Sequence, residues 1–389
     1  MKINCAYRYE LKPNVDQKIT LAKHAGAARF AFNWGLNLRI QQYKSSQTTT
    51  NAIEQHRRLN SLKEEMYPWM YEVSKCAPQE ALRDLDKAFQ HFFRGIKQKK
   101  KIGFPKFKKK GIHDSFRLTG TIKLNEKSVQ LPRLGSIRLK EVSKFQGKIL
   151  SATLSREADR WYVSLTVEEE RQEVQPVQGE TIGIDMGLTS FATLSTGEKI
   201  KAPKPLEKEL KTLKRASKKH SRKIKGSKTS KKSALNLARK HRKIRNIRKD
   251  FLHKLSTHLA KTKSEIVLED LNIKAMMQKG KFSRSISDVS WYEFRGMLTY
   301  KTKWYGSKLI VAPRTFPSSK RCSLCGVIQE TMPLSIRKWQ CKTCLTEHDR
   351  DVNAAKNLLI YSTGSSPGIN ACGDTSDGAK LPAWLVTCR

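Results

Sequence analysis

The sequence predicts an α+β chain of more than one domain. A strand-rich N-terminal part encloses a helical stretch, and an α/β part follows that is interrupted by a small metal-binding lobe. Three observations predict this. The 389 residues suffice for two or three domains of ~100–200 residues each. The hydrophobic period is helical from Ile19 to Ile96, alternates from Ser115 to Val167, and mixes the two after Thr181. Four cysteines stand in two tight pairs at Cys322, Cys325, Cys341 and Cys344.

The first element is a half-buried strand, because Ile3, Cys5, Tyr7, Tyr9 and Leu11 alternate with polar neighbours until Pro13 and Asn14 stop it. A helix face follows at Ile19, Ala22, Ala25, Ala28, Phe32, Leu36 and Ile40. Residues 48–51 read as a loop. A second helix carries Leu82, Leu85, Phe89, Phe92 and Ile96, with Pro78 in its first turn, where a missing N–H costs nothing. Lys97–Lys110 is basic, with Phe104, Pro105 and Phe107 interleaved. Short strands and turns then run to Val167, the clearest carrying Trp161, Val163, Leu165 and Val167, which predicts a small barrel or curled sheet. Residues 168–180 read as a linker. Thr181–Asp185 is a short strand with a hairpin partner at Phe191–Leu194, Ile266–Leu268 and Leu309–Val311 are further strands, Trp291–Tyr305 is helical, and a last helix begins near Asp351. Residues 363–389, rich in Gly, Ser, Asp and Pro, read as a disordered tail.

Charge bounds the function. Seventy-seven Lys and Arg against 35 Asp and Glu leave +42, an excess that speaks of a polyanionic partner, most commonly nucleic acid. No run of about 18 apolar residues exists and the N-terminus lacks an apolar signal core, so the expectation is a cytoplasmic chain with no membrane partner. In that setting paired cysteines read as metal ligands rather than disulfides. Fifteen residues separate the two Cys-x-x-Cys pairs, the spacing at which two knuckle turns enclose one tetrahedral Zn²⁺. Gly326 follows the second cysteine, where such a turn favours positive φ. Four thiolates close the shell to water, so the zinc is expected to be structural. Cys5, Cys76, Cys372 and Cys388 are scattered and suggest no site.

Acidic residues mark three element ends. Asp185 ends an apolar strand between Gly183 and Gly187, Glu269 and Asp270 end another, and Asp349 and Asp351 precede a helix start. Carboxylates at the ends of buried strands converge on one crevice in an open α/β sheet. Two or three such groups hold the Mg²⁺ ions that activate water and stabilise the leaving oxygen in phosphodiester cleavage. Singly, each acid reads more readily as a turn residue or a helix cap. Together, and with +42 charges to bed a polyanion, they read as a metal-dependent nuclease.

These motifs resemble those of TnpB, the RNA-guided DNA nuclease family of insertion-sequence transposons, related to type V CRISPR effectors. Gly-Ile-Asp-Met-Gly at 183–187, Leu-Glu-Asp-Leu at 268–271 and Asp-Arg-Asp-Val-Asn-Ala-Ala at 349–355 are similar to the three RuvC motifs, and Cys-Ser-Leu-Cys-Gly at 322–326 to the family's zinc ribbon. Phe-Asn-Trp at 32–34 and Phe-Pro-Lys-Phe-Lys at 104–108 are similar to its N-terminal half. The resemblance implies a wedge β-barrel (1–12 and 104–175) with an inserted helical recognition domain (13–103). An RNase H-like RuvC domain (181–319 and 346–362) would follow, interrupted by the ribbon (320–345). It implies catalysis by Asp185, Glu269 and Asp351 with Mg²⁺ or Mn²⁺, since the family's third ligand lies two residues before the Asn. It also implies a noncoding guide RNA, a double-stranded DNA target in the nucleoid, and a monomer on its RNA. Protein contacts to a heteroduplex run through its backbone and need charge more than sequence reading.

Residues 199–250 depart from the family by their length and lysine content. They hold 22 Lys or Arg against three acids and contain Gly226 and Ser227, which predicts a broken helix forming a hairpin against nucleic acid. Lys214, Arg215, Lys218, Lys219, Arg222, Arg239, Arg242 and Arg245 are its candidate contacts. The competing readings are a non-cleaving RNA-guided DNA-binding regulator and a transposase that joins DNA ends. The presence of all three acids places the regulator behind the nuclease, and composition does not exclude the transposase.

Overall fold

The computed structural model describes residues 2–100, 102–143, 145, 147–170, 174–278, 280, 282–333 and 335–364. Most of the tail expected from 363 therefore lies outside the described residues. The chain divides into two compact units, with the division at Arg171.

The first unit opens on strand β1 (Lys2–Lys12). Helix α1 (Val15–Ser46) follows, started by a capping box in which the Asn14 side chain accepts from the Gln17 N–H and the Gln17 side chain accepts from the Asn14 N–H. Its buried stripe is Leu21, Ala25, Ala28, Phe32 and Leu36, not Ile19 and Ala22, which face solvent. The expected face holds from Ala25 to Leu36, and Leu21 takes the place of Ile19 and Ala22 at its start. Helix α2 (Ala52–Ser61) occupies the stretch just after the expected loop, and its capping box, Asn51 with Glu54, was the sequence signal for it. A 3-10 turn (Pro68–Glu72) leads to α3 (Cys76–Lys97), in which Leu82 and Leu85 are buried but Ile96 is exposed.

Six strands complete the unit: β2 (Ser115–Leu118), β3 (Lys123–Asn125), β4 (Ser128–Leu131), β5 (Gly135–Leu139), β6 (Lys148–Glu157) and β7 (Arg160–Glu170). The order is β2-β6-β7-β1-β5-β4-β3, antiparallel throughout. Strand β1 pairs with β7 from Lys2 to Glu10 and passes to β5 at Leu11 and Lys12, which bends the sheet. No pairing joins the edge strands β2 and β3 among the described residues, so the ladder is an open curled sheet, not a ring. The helices and the sheet share one core, from Leu21, Leu36 and Leu82 to Val129, Ile137, Val163 and Leu165. Strand β7 runs into the stretch expected to be linker, and helix- and strand-free chain resumes at 174.

The second unit is built on β8 (Ile182–Asp185), β9 (Ala192–Leu194), β10 (Lys199–Ile200), β11 (Glu265–Glu269) and β12 (Lys308–Ala312), in the order β10-β9-β8-β11-β12. The first three are antiparallel, and β8, β11 and β12 are parallel. Between β10 and β11 run α4 (Pro205–Ser221) and α5 (Lys228–Thr262), the expected hairpin, broken at Gly226 with φ 88° and restarted by Ser227, whose hydroxyl accepts from the Ser230 N–H. Helices α6 (Ile273–Gln278), α7 (Ser283–Val289) and α8 (Trp291–Tyr305) precede β12. The core gathers Ile184, Phe191, Leu252, Leu259, Ile266, Leu268, Trp291, Phe294 and Leu298. The ribbon hairpin β13 (Lys338–Gln340) and β14 (Glu347–Asp349) runs past the expected boundary at 345 and leads directly into α9 (Arg350–Thr363), which takes the first residue of the expected tail.

Candidate functional site

Asp185 and Glu269 sit at the same end of neighbouring parallel strands. Ile266, Val267 and Leu268 of β11 lie opposite Ile182, Gly183 and Ile184 of β8, so the next step along each strand reaches Glu269 and Asp185. The third acid arrives with α9, which packs on β8 at Gly183. A Cβ there would lie 2.0 Å from the Ala355 carbonyl oxygen and 2.6 Å from the Leu359 nitrogen, so only glycine lets the helix backbone approach this closely. From that contact, four residues back along α9 is ~6 Å and two residues forward along β8 is ~6.6 Å, which bring Asp351 and Asp185 to one end.

The electrostatics agree. Burial raises the Asp185 carboxyl from its ordinary 3.8 to about 7, and the charges of Asp351 and Glu269 push the same way against Arg350 and Arg337. Burial also raises Glu269, with a contribution from Asp270. Arg337 holds the Asp351 carboxylate at 3.3 Å. The two neighbouring acids are occupied otherwise. Asp349 caps α9, accepting from the Asp351 and Val352 N–H groups, and pairs with Lys199 at 2.7 Å. Asp270 bonds to Arg295 and, at 2.7 Å, to Arg314; burial alone would raise it, but the two guanidiniums hold it below the usual carboxylate range.

The ribbon's geometry is tighter. The four cysteine sulfurs lie within 4.8 Å of one another and are the one group of three or more ligand-type side chains so closed among the described residues. Cys322–Cys344 and Cys325–Cys341 are each 3.6 Å apart. Metal–sulfur bonds of ~2.3 Å set sulfurs ~3.8 Å apart at tetrahedral corners, so the spacing fits one such ion. Gly326 has φ 80°, and His348 Nε2 lies 3.0 Å from the Cys322 sulfur. Two buried asparagines, whose role the sequence did not disclose, tie this knuckle to α9. The Asn353 amide donates to the Arg321 carbonyl at 2.8 Å and accepts from the Ser323 N–H at 2.9 Å; Asn357 donates to the Ser318 and Arg321 carbonyls. Asn353 lies two residues from Asp351 on α9 and Asn357 six, so the clamps flank the start of the helix within about two turns.

Of the candidate nucleic-acid contacts, Lys214, Arg215, Lys218, Lys219, Arg222 and Arg239 are exposed on the α4–α5 hairpin, and Arg242 and Arg245 are half-buried. The three acids of that stretch each take a lysine, Glu207 Lys204, Glu209 Lys243 and Asp250 Lys254, which leaves its large positive excess in place. In the first unit a cavity of about 860 Å³ is lined by Lys63, Ser74, Lys75, Thr119, Thr121, Gln130 and Arg133 among others. Lys63 is 8% exposed there, pairs with no carboxylate among the described residues, and has its ammonium pKa lowered by burial and by Lys75. Sequence spacing gave no signal for this cavity, because its walls come from the connection between α2 and α3, the first residue of α3, and the strand ends and turns of the sheet.

Comparison with known proteins places the chain. A family profile described as "Probable transposase" (OrfB of IS605 elements) matches residues 164–280, and one described as "Cas12f1-like, TNB domain" matches 291–358. A third, described as "Helix-turn-helix domain", matches 1–48, where the structure has β1 and the single long helix α1. The chain is 37% identical over 386 residues to a Streptomyces pristinaespiralis protein named "Putative RNA-guided DNA endonuclease", covering 96% of this chain and 92% of that one. It is 31% identical over 395 residues to the similarly named InsQ of Escherichia coli K12, covering 96% and 95%. Its fold is similar to a protein chain solved as the "Cas12f1-sgRNA-target DNA complex", with a TM-score of 0.54 at 15% identity over 88% of this chain and 83% of that chain. No helix among the described residues is long and apolar enough to cross a membrane. With near-full-length identity above 30% added to the ordered motifs and the ribbon, the chain belongs to the TnpB family, the OrfB proteins of IS605-type elements.

Proposed function

We propose that the protein is an RNA-guided DNA endonuclease that hydrolyses target phosphodiesters at Asp185, Glu269 and Asp351. The observation that carries this reading is the convergence of these three acids at one end of the β8–β11 pair and the α9 start, with Asp185 held up to about 7. A buried carboxyl crowded by two others is an arrangement whose repulsion a divalent cation would relieve, and oxygen-only ligands suit Mg²⁺ or Mn²⁺. When bound, such ions activate water and stabilise the leaving oxygen. The chain's own part is to keep the three carboxylates at fixed positions. β8 and β11 hold Asp185 and Glu269 in register, and Gly183 lets α9 bring Asp351 beside them. Arg337 neutralises Asp351 and lies where a guanidinium can take a phosphate oxygen instead. The cysteine cluster takes one Zn²⁺, closed by four sulfurs and therefore structural.

The guide is a noncoding RNA and the target double-stranded DNA, with one copy of the chain on its RNA acting on nucleoid DNA. The basic α4–α5 hairpin and the cavity bearing Lys63, Lys75 and Arg133 give phosphates their counter-charge. The curled sheet of the first unit is the wedge and its helices the recognition part. The test is plasmid cleavage by the protein with its co-expressed RNA. RNA-dependent cutting of a matched target that disappears in Asp185→Ala supports the reading. Binding without cutting would make the protein a regulator, and joined ends would make it a transposase.

A further inference from the structure

The described residues between α3 and β2 form no regular secondary structure, yet they are held at several points. Asn33 of α1 clamps the Lys108 backbone with both ends of its amide, accepting from the Lys108 N–H at 2.7 Å and donating to its carbonyl at 2.9 Å. The Lys108 ammonium turns back over the Phe32 ring, 4.0 Å from its centroid. Phe104 stands edge-on to Phe89 and Phe92, with centroids 5.4 Å away in each case. Asp114 closes the far end, accepting from Arg29 at 3.3 Å and from the Gly111 N–H at 3.1 Å. A loop held this way does not need an exposed aromatic for its own packing. Phe107 is nevertheless 50% exposed and Phe104 45%. Around them, Lys97–His113 holds eight lysines and no acid, with Lys106, Lys109 and Lys110 exposed.

We infer that this ledge binds the opened target DNA, with Phe107 stacking on an unpaired base and Lys106, Lys109 and Lys110 taking the flanking phosphates. Phenyl rings and ammonium groups accept any base, which is the combination that single-strand binders use. The Asn33 amide beside the ledge is used up on the Lys108 backbone. Sequence-blind contact suits the DNA, whose sequence changes with each target, rather than the fixed scaffold of an RNA, which hydrogen bonds could read. The inference rests on the proposed RNA-guided reading, because only a target opened for pairing offers unpaired DNA bases.

The experiment uses the full chain with its RNA. Affinity is measured for a matched target carrying a pre-opened mismatched bubble, in the native protein and in Phe107→Ala, Phe107→Trp and the triple variant K106A/K109A/K110A. Losing one stacked base weakens binding roughly 5- to 150-fold. Phe107→Ala is expected to fall in that range with RNA affinity and melting temperature unchanged, and Phe107→Trp to restore binding. The triple variant is expected to flatten the salt dependence of DNA binding by about two to three in log–log slope. Crosslinking from 5-iododeoxyuridine in the opened strand is expected to map to residues 104–110. Unchanged DNA affinity in Phe107→Ala, or crosslinks at 104–110 from iodouridine in the RNA instead, overturns the ledge. Either result leaves the nuclease reading intact as long as the native protein cuts the matched plasmid; absence of that cutting is the separate failure of the reading itself.

Discussion

Replacing Asp185 by Asn should make the Mg²⁺-free protein more stable, and most so at alkaline pH. The native carboxyl is raised from 3.8 to about 7 by burial and by Asp351 and Glu269. Between these values the folded state keeps a proton that the unfolded chain has released. The raised group therefore costs nothing below pH 4, costs progressively more up to pH 7, and stays at its full cost above. At ~1.4 kcal/mol per pH unit, the gap from 3.8 to about 7 amounts to at most ~4 kcal/mol. The amide keeps the shape without the charge and removes that cost. The assay is urea unfolding at pH 8 and pH 5 in Mg²⁺-free buffer without chelator, so that the cysteine cluster keeps its metal. The variant should gain up to ~4 kcal/mol at pH 8 and less than about half of that at pH 5. Adding Mg²⁺ should stabilise the native protein and not the variant. A variant no more stable at pH 8, or an equal Mg²⁺ response in both proteins, would refute the crowded-carboxylate account.

Gly183→Ala puts a methyl into the backbone of α9 and should destabilise by several kcal/mol, with cleavage lost because Asp351 is displaced; a normal melting temperature and normal cutting would contradict the packing described. Asn353→Ala removes two buried hydrogen bonds and should cost ~2–5 kcal/mol locally, and with Cys322→Ala it should abolish cutting while RNA affinity falls less than about twofold. Equal loss of RNA binding in either would indicate global unfolding. Converting Arg239, Arg242 and Arg245 together to Ala should flatten the log–log salt slope of RNA binding by about two to three, and an unchanged slope would remove the α4–α5 hairpin from the interface.

What was legible in the sequence was what local chemistry dictates. The Trp291–Tyr305 helix, the strand at Ile182–Asp185 and the break at Gly226 follow from period and turn residues, and the structure places them within a residue or so of expectation. The cysteine cluster followed from spacing alone. The α1 face followed at Ala25, Ala28, Phe32 and Leu36 but not at its start, because Ile19 is apolar yet exposed while His24 and Arg39 are polar yet buried, so the rest of the stripe is set by what α3 and the sheet present. Helix α2 was missed although its capping box was readable. The site was legible as three separate acids, but the feature that joins them is tertiary. Gly183 under α9, Asn353 and Asn357 on the ribbon knuckle, Arg337 on Asp351 and the cavity around Lys63 all link residues far apart in the chain, which period and spacing do not report.

The most direct test of the central claim is cleavage of a supercoiled plasmid carrying a matched target by the protein purified with its RNA in Mg²⁺. Linear product should form with the native protein, require the RNA, and vanish in Asp185→Ala while target binding persists. Linear product from Asp185→Ala at the native rate would contradict the assignment of the carboxylate centre.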